Sequence, residues 1–443
     1  MSRDLKLFLL PILVLFAVTL PHLEQGEFRR DTVVYAAVGR YMWDGGSLVA
    51  PHISPEKPYL FGANLIAARV PSILAAAGAI VFNMLAVRNL GTRREAVMSG
   101  IVLALTYEFF RRTREISLDL WQLLFIMAAV WLIASAIRSD RIAPVVLSGI
   151  AIGLALMSKP LVALVALPMF GIWLAITRRA HLIIWLVLGA LPIALVIAAP
   201  WHLYMYSLFG NTFAHQYFSR QIEKVATKPA HRSSLYYLQE NAATYWPWMC
   251  ALVYACYLRV RRSTQRRPRR DFFLLGVIWI GLWLILLSSF SEKKPNYALP
   301  LYPMLAWICA WGICRIRWPK LANWYERGLP GVAPAAVAIF IIATLAPIRF
   351  HEPPEKNWLA LIDWIKAAKI DSAHVAHASL ELNDLCYVYL KTGRWMKSFS
   401  SAESDPAWSR LIVTKVGTAS NPLLDQNPIV FSSGPVRVVS MAR

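Results

Sequence analysis

Arg111, Arg112 and Arg114 stand with Glu115 and Asp119 in one short stretch of an otherwise apolar chain. Lys57 beside Glu56, Lys159 between Ser158 and Pro160, His231-Arg232 and Lys293-Lys294 are further isolated charges of this kind. Guanidinium groups match a phosphate two bonds at a time, and ammonium groups meet it as point charges. The anion that a membrane supplies is a phosphate head group. Ionisable side chains at membrane depth are rare unless they face a cavity or a ligand, so Arg111, Arg112 and Arg114 point to bound phosphate. Other readings stay open on the residues alone. The arginines can snorkel to ordinary lipid phosphates, Lys57 can pair with Glu56, and Asp119 can cap a helix or pair with Arg114.

Membrane helices must position these groups. The chain has 443 residues, of which 57% are hydrophobic and 16% charged, with a mean hydropathy of +0.47. That composition excludes a soluble globular domain, a coiled coil, a collagen and a disordered tail. Apolar runs near 5–21, 70–87, 95–110, 117–137, 142–157, 160–177, 182–200, 244–258, 272–290, 298–314 and 329–347 predict about eleven transmembrane helices. The run at 5–21 follows Arg3 but lacks a small-residue cleavage pattern, so it reads as the first span and not as a signal peptide. The five cysteines form no CxxC and no ligand cluster; no structural disulfide and no zinc site is expected.

The net charge of +21 comes from loops. With the N-terminus inside, the Lys and Arg density falls in the inner loops, most heavily in the Arg259–Arg270 run. That run reads as a topology anchor, not as a patch for nucleic acid. Asp31, Lys57, Arg111, Arg112, Arg114, Asp119, Lys159, Lys293 and the loops 22–69 and 201–243 then gather on the outer face. Trp201, Tyr236, Tyr237, Trp246 and Trp248 read as an interfacial aromatic belt. Beyond residue 347 the composition changes. Helical spacing over 357–370 and short strands at Val375–Ala378, Leu411–Val416, Ile429–Phe431 and Val436–Val439 predict a small α/β domain, 348–443, on the outer side.

The first outer loop carries Asp31, then Tyr35-Ala36, a Gly45-Gly46 turn leading to Pro51-His52, and Glu56-Lys57-Pro58. Ser117-Leu118-Asp119, Met157-Ser158-Lys159-Pro160, Pro200-Trp201-His202, and His231-Arg232 with Tyr236-Tyr237 follow in order. Last comes Ser291-Glu292-Lys293-Lys294-Pro295-Asn296-Tyr297-Ala298-Leu299-Pro300-Leu301-Tyr302-Pro303. Together these resemble the lipid-linked sugar transferases of the GT-C fold, in the branch of the lipid A aminoarabinose transferases, akin to protein O-mannosyltransferases. The chain departs from that pattern at Asp31-Thr32, where the family often has Asp-Glu, and at Lys294, where an apolar residue is usual.

The resemblance implies an all-α polytopic membrane enzyme, with residues 1–347 as its catalytic domain. It would move a sugar from a polyprenyl-phosphate donor to an envelope acceptor such as lipid A, another glycan or a protein. Membrane lipids would surround it, and no nucleic acid is expected. The site would lie on the outer face of a bacterial inner membrane. Asp31 would be the base or orienting carboxylate, with Asp119 second. Lys57, Lys293 and Arg111, Arg112 or Arg114 would hold the donor phosphate. Glu56, Tyr35, Lys159, His231, Arg232 and Tyr297 would complete the pocket. Nothing in the sequence indicates a divalent metal. A non-catalytic polyprenyl-phosphate flippase and a secondary transporter are the rival classes. A transporter should place its charges at mid-membrane and show repeated halves, and neither is seen here. The topology is directly testable: a periplasmic reporter fused after Arg443 is expected to be active, and a cytoplasmic one silent.

Overall fold

The computed structural model describes residues 3–20, 65–215, 217, 233, 235–261, 270–290, 293–316, 356–371, 374–378, 380, 382–392, 396–398, 411–415, 427–433 and 436–441. The chain divides into two units, 1–22 with 70–348 and 23–69 with 349–443. The first unit is helical. Its order is α1 (Arg3–Thr19), α2 (Leu65–Leu90), α3 (Arg93–Ala104), α4 (Tyr107–Thr113), α5 (Leu118–Ser139), α6 (Ile142–Ser158) and α7 (Pro160–Ile176). Then come α8 (Ala180–Ala214), α9 (Tyr236–Thr244), α10 (Trp246–Arg261), α11 (Arg270–Ser289), a 3-10 segment (Pro295–Leu301) and α12 (Tyr302–Ile313).

Among the described residues, Arg69–Leu90, α5 and α8 are long and apolar enough to cross a bilayer. Leu9–Thr19, Ile142–Ser158, Ala163–Ile176 and Phe273–Ser289 are shorter apolar helices. The run at 95–110, predicted as one span, is two helices. Thr106 is extended (φ −72°, ψ 121°), and its hydroxyl donates to the Val102 carbonyl at 2.8 Å. Such a back-bond competes with the helical ladder and bends or ends it. The loop predicted to start at Trp201 also begins later, because α8 continues to Ala214 with a kink at Gly210 (φ 51°, ψ −133°). At 1.5 Å per residue α8 is about 50 Å long, well beyond the ~30 Å of a hydrocarbon core. Its π turn at Leu186–Ala190 precedes Pro192, which has no N–H to give to a regular ladder.

α3 and α12 run antiparallel. At one end Glu95 caps α3 in a reciprocal box with Thr92 and accepts from Arg315 at 2.8 Å, while the Arg315 guanidinium lies 3.9 Å over the Trp311 ring. Residues 106–119 and 295–302 therefore share the opposite end of the helices. Between the ends, Trp173, Trp279 and Trp307 are buried against one another and against Phe170. The Trp307 indole donates to Asn83, whose amide donates to Ser99 at 3.2 Å, so these three buried side chains satisfy each other.

In the second unit the described strands form one sheet. β1 (Ala376–His377), β2 (Lys397–Ser398), β3 (Leu411–Lys415), β4 (Ile429–Ser433) and β5 (Val436–Ser440) lie in the order β2-β1-β3-β5-β4. β1 is parallel to both its neighbours, whereas β5 is antiparallel to β3 and β4, with an irregularity between Ile429 and Phe431. Helix α13 (Lys356–Ala367) packs on β4 through Trp364 and Phe431, whose rings are 5.3 Å apart, and α14 (Leu382–Thr392) packs on α13.

The lever that sets the site's geometry is the contact of α6 with α8. A Cβ on Gly149 would lie 2.3 Å from the Ala190 carbonyl oxygen, and one on Gly153 would lie 3.0 Å from that of Ala194. Glycines four apart let two backbones touch, as small residues do throughout membrane bundles. Gly149→Val is expected to push α6 off α8 and destabilise the protein by about 1–3 kcal/mol. The measurement is the melting temperature in detergent; an unchanged value would show that the helices are not held this closely.

Candidate functional site

Asp119 lies in the first turn of α5, after Ser117 at the N-cap position (φ −126°, ψ 109°). A carboxylate there is favoured by the exposed N–H groups of the helix end. The structure adds two partners from distant segments. The Lys159 ammonium is in close contact with Oδ1, and the Asn296 amide donates to Oδ2 at 3.0 Å. Lys159 occupies the single extended residue between α6 and α7 (φ −154°, ψ 102°), where Pro160 stops α6 from continuing. Gln122, one turn after Asp119, donates to the Lys159 carbonyl at 2.8 Å. The junction is therefore held by backbone and side chain together, while the Lys159 side chain stays 31% exposed. A carboxylate that accepts at both oxygens and faces an ammonium is fixed in orientation.

Asn296 belongs to the 3-10 segment, whose backbone is fixed at several points. The Tyr237 hydroxyl donates to the Lys294 carbonyl and accepts from its N–H, both at 3.2 Å. The Trp283 indole donates to the Tyr297 carbonyl at 3.1 Å, and that of Trp279 to the Pro300 carbonyl at 2.9 Å. The Tyr297 and Pro300 carbonyls take indole donors because Pro300 and Pro303, three residues further on, have no N–H to give them, whereas the Lys294 carbonyl also accepts from the Tyr297 N–H at 3.1 Å. Lys293 is buried, and its ammonium donates to the Phe290 carbonyl at 2.6 Å, at the C-terminal end of α11. That is a favourable place for a cation.

A second charged group lies close by on α4. Arg111 binds both oxygens of Glu108 at 2.9 Å and donates to Glu115 at 3.0 Å. Arg112 donates to Glu108 at 2.9 Å and to Glu115 at 2.7 Å. Burial disfavours the Arg111 cation, but the hydrogen bond and charge of Glu108, with that of Glu115, outweigh it and hold the guanidinium above its ordinary value. The spacings i,i+3 and i,i+4 from Glu108, and from Arg111 and Arg112 to Glu115, are those at which helical side chains meet. Arg112 also contributes its charge to Asp119. Arg114 is buried, and Thr113 next to it shares a 3.1 Å hydroxyl contact with Thr19 of α1.

The structure thus brings together Asp119, Lys159, Arg112 and the segment carrying Lys293 and Tyr297. Arg111 and Arg112 stand paired with carboxylates, and Lys293 is engaged at a helix end. Asp31, Tyr35, Glu56, Lys57, His231 and Arg232 lie outside the described residues. Sequence reading overlooked Asn296 and Glu108 as members of the site. Spacing alone pairs Glu108 with the arginines, whereas nothing local connects Asn296 to Asp119. Among the described residues no group of His, Cys, Asp or Glu is arranged to hold a metal ion.

Residues 53–204 match the model of the dolichyl-phosphate-mannose-protein mannosyltransferase family. The chain is 29% identical to the undecaprenyl phosphate-alpha-4-amino-4-deoxy-L-arabinose arabinosyl transferase of Erwinia tasmaniensis over 73% of its own length, and 28% identical to that of an Enterobacter species over 76%. The matched part spans 61% and 65% of those two relatives. The fold is that of ArnT from Cupriavidus metallidurans bound to undecaprenyl phosphate, with a TM-score of 0.73, 18% identity and 97% of each chain covered. It is also similar to the archaeal oligosaccharyltransferase AglB of Archaeoglobus fulgidus, solved with an inhibitory peptide and a dolichol-phosphate. There the TM-score is 0.54 at 12% identity, over 93% of this chain and 69% of that one. The protein is an integral membrane protein with a GT-C fold, similar to the aminoarabinose transferases.

Tyr237→Phe tests how firmly the 3-10 segment is held. It deletes a buried hydroxyl that serves both polar groups of Lys294, at an expected cost of about 1–3 kcal/mol. The melting temperature should fall, and backbone amide exchange at 294–297 should quicken before the rest of the bundle opens. Exchange at 294–297 as slow as in the parent would show that Tyr237 does not fix the segment.

Proposed function

We propose that the protein is a glycosyltransferase that moves a sugar from a polyprenyl-phosphate donor to an envelope acceptor at the outer face of the membrane. The observation that carries this is the meeting of Asp119, Lys159 and Asn296, from segments far apart in the chain, at one end of the helices, next to the arginines of α4. The relatives named above are called undecaprenyl phosphate aminoarabinose transferases, and the similar fold was solved with undecaprenyl phosphate bound. An amino sugar and lipid A are therefore the first donor and acceptor to test.

The chemistry asks little of a cofactor. Carbon 1 of the donor sugar already carries a phosphate leaving group. An acceptor oxygen attacks that carbon, the bond to the phosphate oxygen breaks with its electron pair, and the polyprenyl phosphate departs as an anion. Cations held in place beforehand stabilise the charge that grows on the phosphate. Lys57 and Lys159 are suited to this, and Arg112 contributes from α4. Asp31 takes the proton if the acceptor is a hydroxyl; a phosphate acceptor is already ionised and needs no base. In this reading the spans set the site on the periplasmic side, and the 348–443 domain receives or covers the acceptor.

The test is transfer from a synthetic polyprenyl-phosphate sugar by the full chain in nanodiscs. Asp31→Asn keeps shape and removes the base. Turnover on a hydroxyl acceptor should fall by about 100-fold or more while donor KM stays nearly constant. Lys57→Met should weaken donor binding and turnover together. Normal turnover of Asp31→Asn would remove it as the base, and absence of transfer by the unmodified chain with every polyprenyl-phosphate sugar tried would end the reading.

A further inference from the structure

Asn296 is the point at which the Asp119–Lys159 pair is tied to the segment that carries Lys293, Lys294 and Tyr297. The other bonds described for this segment reach its main chain: Tyr237 at Lys294, Trp283 at Tyr297 and Trp279 at Pro300. They fix where the segment runs but say nothing to Asp119. The Asn296 amide does, donating to Oδ2 at 3.0 Å while Lys159 holds Oδ1. An uncharged donor is what this place requires. A second cation would draw Asp119 away from Lys159, and a carboxylate would repel it. An apolar side chain would leave one carboxylate oxygen without its donor at a half-buried position.

We propose that Asn296 is a positioning residue of the transfer reaction: by holding Oδ2 of Asp119 it fixes the carboxylate's orientation, and through Oδ1 it sets where the Lys159 ammonium stands beside the donor phosphate. The proposal rests on the transferase reading above. It deepens that reading, because it assigns a role to a residue of a segment otherwise fixed through its backbone.

Two substitutions separate positioning from packing. Asn296→Asp is nearly isosteric. Ionised, it sets a second negative charge against Asp119; protonated, it donates again as the amide did. The charged groups on and beside the elements packed against its segment are Asp119 on α5, Lys159 between α6 and α7, Glu108, Arg111, Arg112, Arg114 and Glu115 on and just after α4, Glu240 on α9, and Lys293 and Lys294 beside it. Asn296→Leu removes the donor at every pH. Transfer and melting temperature are measured for the full chain in nanodiscs from pH 5.5 to 8, with a polyprenyl-phosphate sugar as donor. For Asn296→Asp, kcat is expected to fall by about 30-fold at pH 8 and to recover to within about 3-fold of the parent at pH 5.5, with donor KM inside about 2-fold throughout. For Asn296→Leu, kcat should fall by a similar factor at all pH values.

An Asn296→Asp protein with the parent's pH–rate profile would overturn the inference. So would equal losses in both variants at every pH, which would mean packing alone. If the unmodified chain transfers no sugar, the proposed function fails and the role in transfer with it, while the melting curves decide whether Asn296 orients Asp119. Asn296→Asp should melt below the parent at pH 8 and level with it at pH 5.5, and a difference that ignores pH would overturn the positioning role.

Discussion

A carboxylate at the head of a membrane helix cannot be left to itself. Asp119 begins α5, one of the helices long enough to cross a bilayer, and its charge needs donors in a place where water is scarce. The fold supplies them from two sides. Lys159 arrives because Pro160 breaks the apolar stretch 142–176 into two helices with one extended residue between them. Asn296 arrives because the segment after α11 is rich in proline and its carbonyls are met by tryptophan and tyrosine side chains. Both arrivals are made of backbone restrictions, and the ion pair is where they meet. Removing either partner would leave a charge with high desolvation cost, so position and stability are set by the same contact.

The part of this that can be read in the sequence is the part that depends on local chemistry. Ser117-Leu118-Asp119 before a long apolar run gives the start of α5 correctly, and Ser158-Lys159-Pro160 gives the break between α6 and α7. Helical spacing gives the Glu108, Arg111, Arg112 and Glu115 network, in which Arg111 and Arg112 have their carboxylate partners within one helical turn. Two other features resist local reading. Thr106 ends α3 through a hydroxyl back-bond inside a run whose hydropathy looks continuous. α8 carries on past Pro200 because its apolar face does, although the Pro-Trp-His motif looks like the start of a loop. The bond from Asn296 to Asp119 joins residues 177 apart in the chain and leaves no periodic trace in it.

The close approach of α6 and α8 has a consequence for the site. Gly149 and Gly153 bring α6 against the backbone of α8, and α6 ends at Lys159. Any shift of α6 along α8 would carry the ammonium with it. Protein interiors transmit such displacements because they are packed as tightly as crystals. In the proposed reaction, the glycines therefore help to fix where the Lys159 ammonium stands.

The pairing on α4 determines how an anion can enter. Arg111 and Arg112 carry two positive charges, Glu108 and Glu115 two negative ones, and their bonds close on each other. A phosphate that took both guanidiniums would strand two carboxylates, one of them buried, and the cost of those stranded charges would offset most of what the phosphate contacts contribute. Lys159 differs, since its partner Asp119 keeps the Asn296 amide and the nearby charge of Arg112 when the ammonium turns toward a ligand. In the proposed reaction, the cheaper route is for Lys159 to meet the phosphate while the arginines stay with their carboxylates and act at a distance through Arg112. In this arrangement the α4 network serves as a rigid, nearly neutral wall, and selectivity for a phosphate comes from the few cations whose anionic partners have other donors to keep.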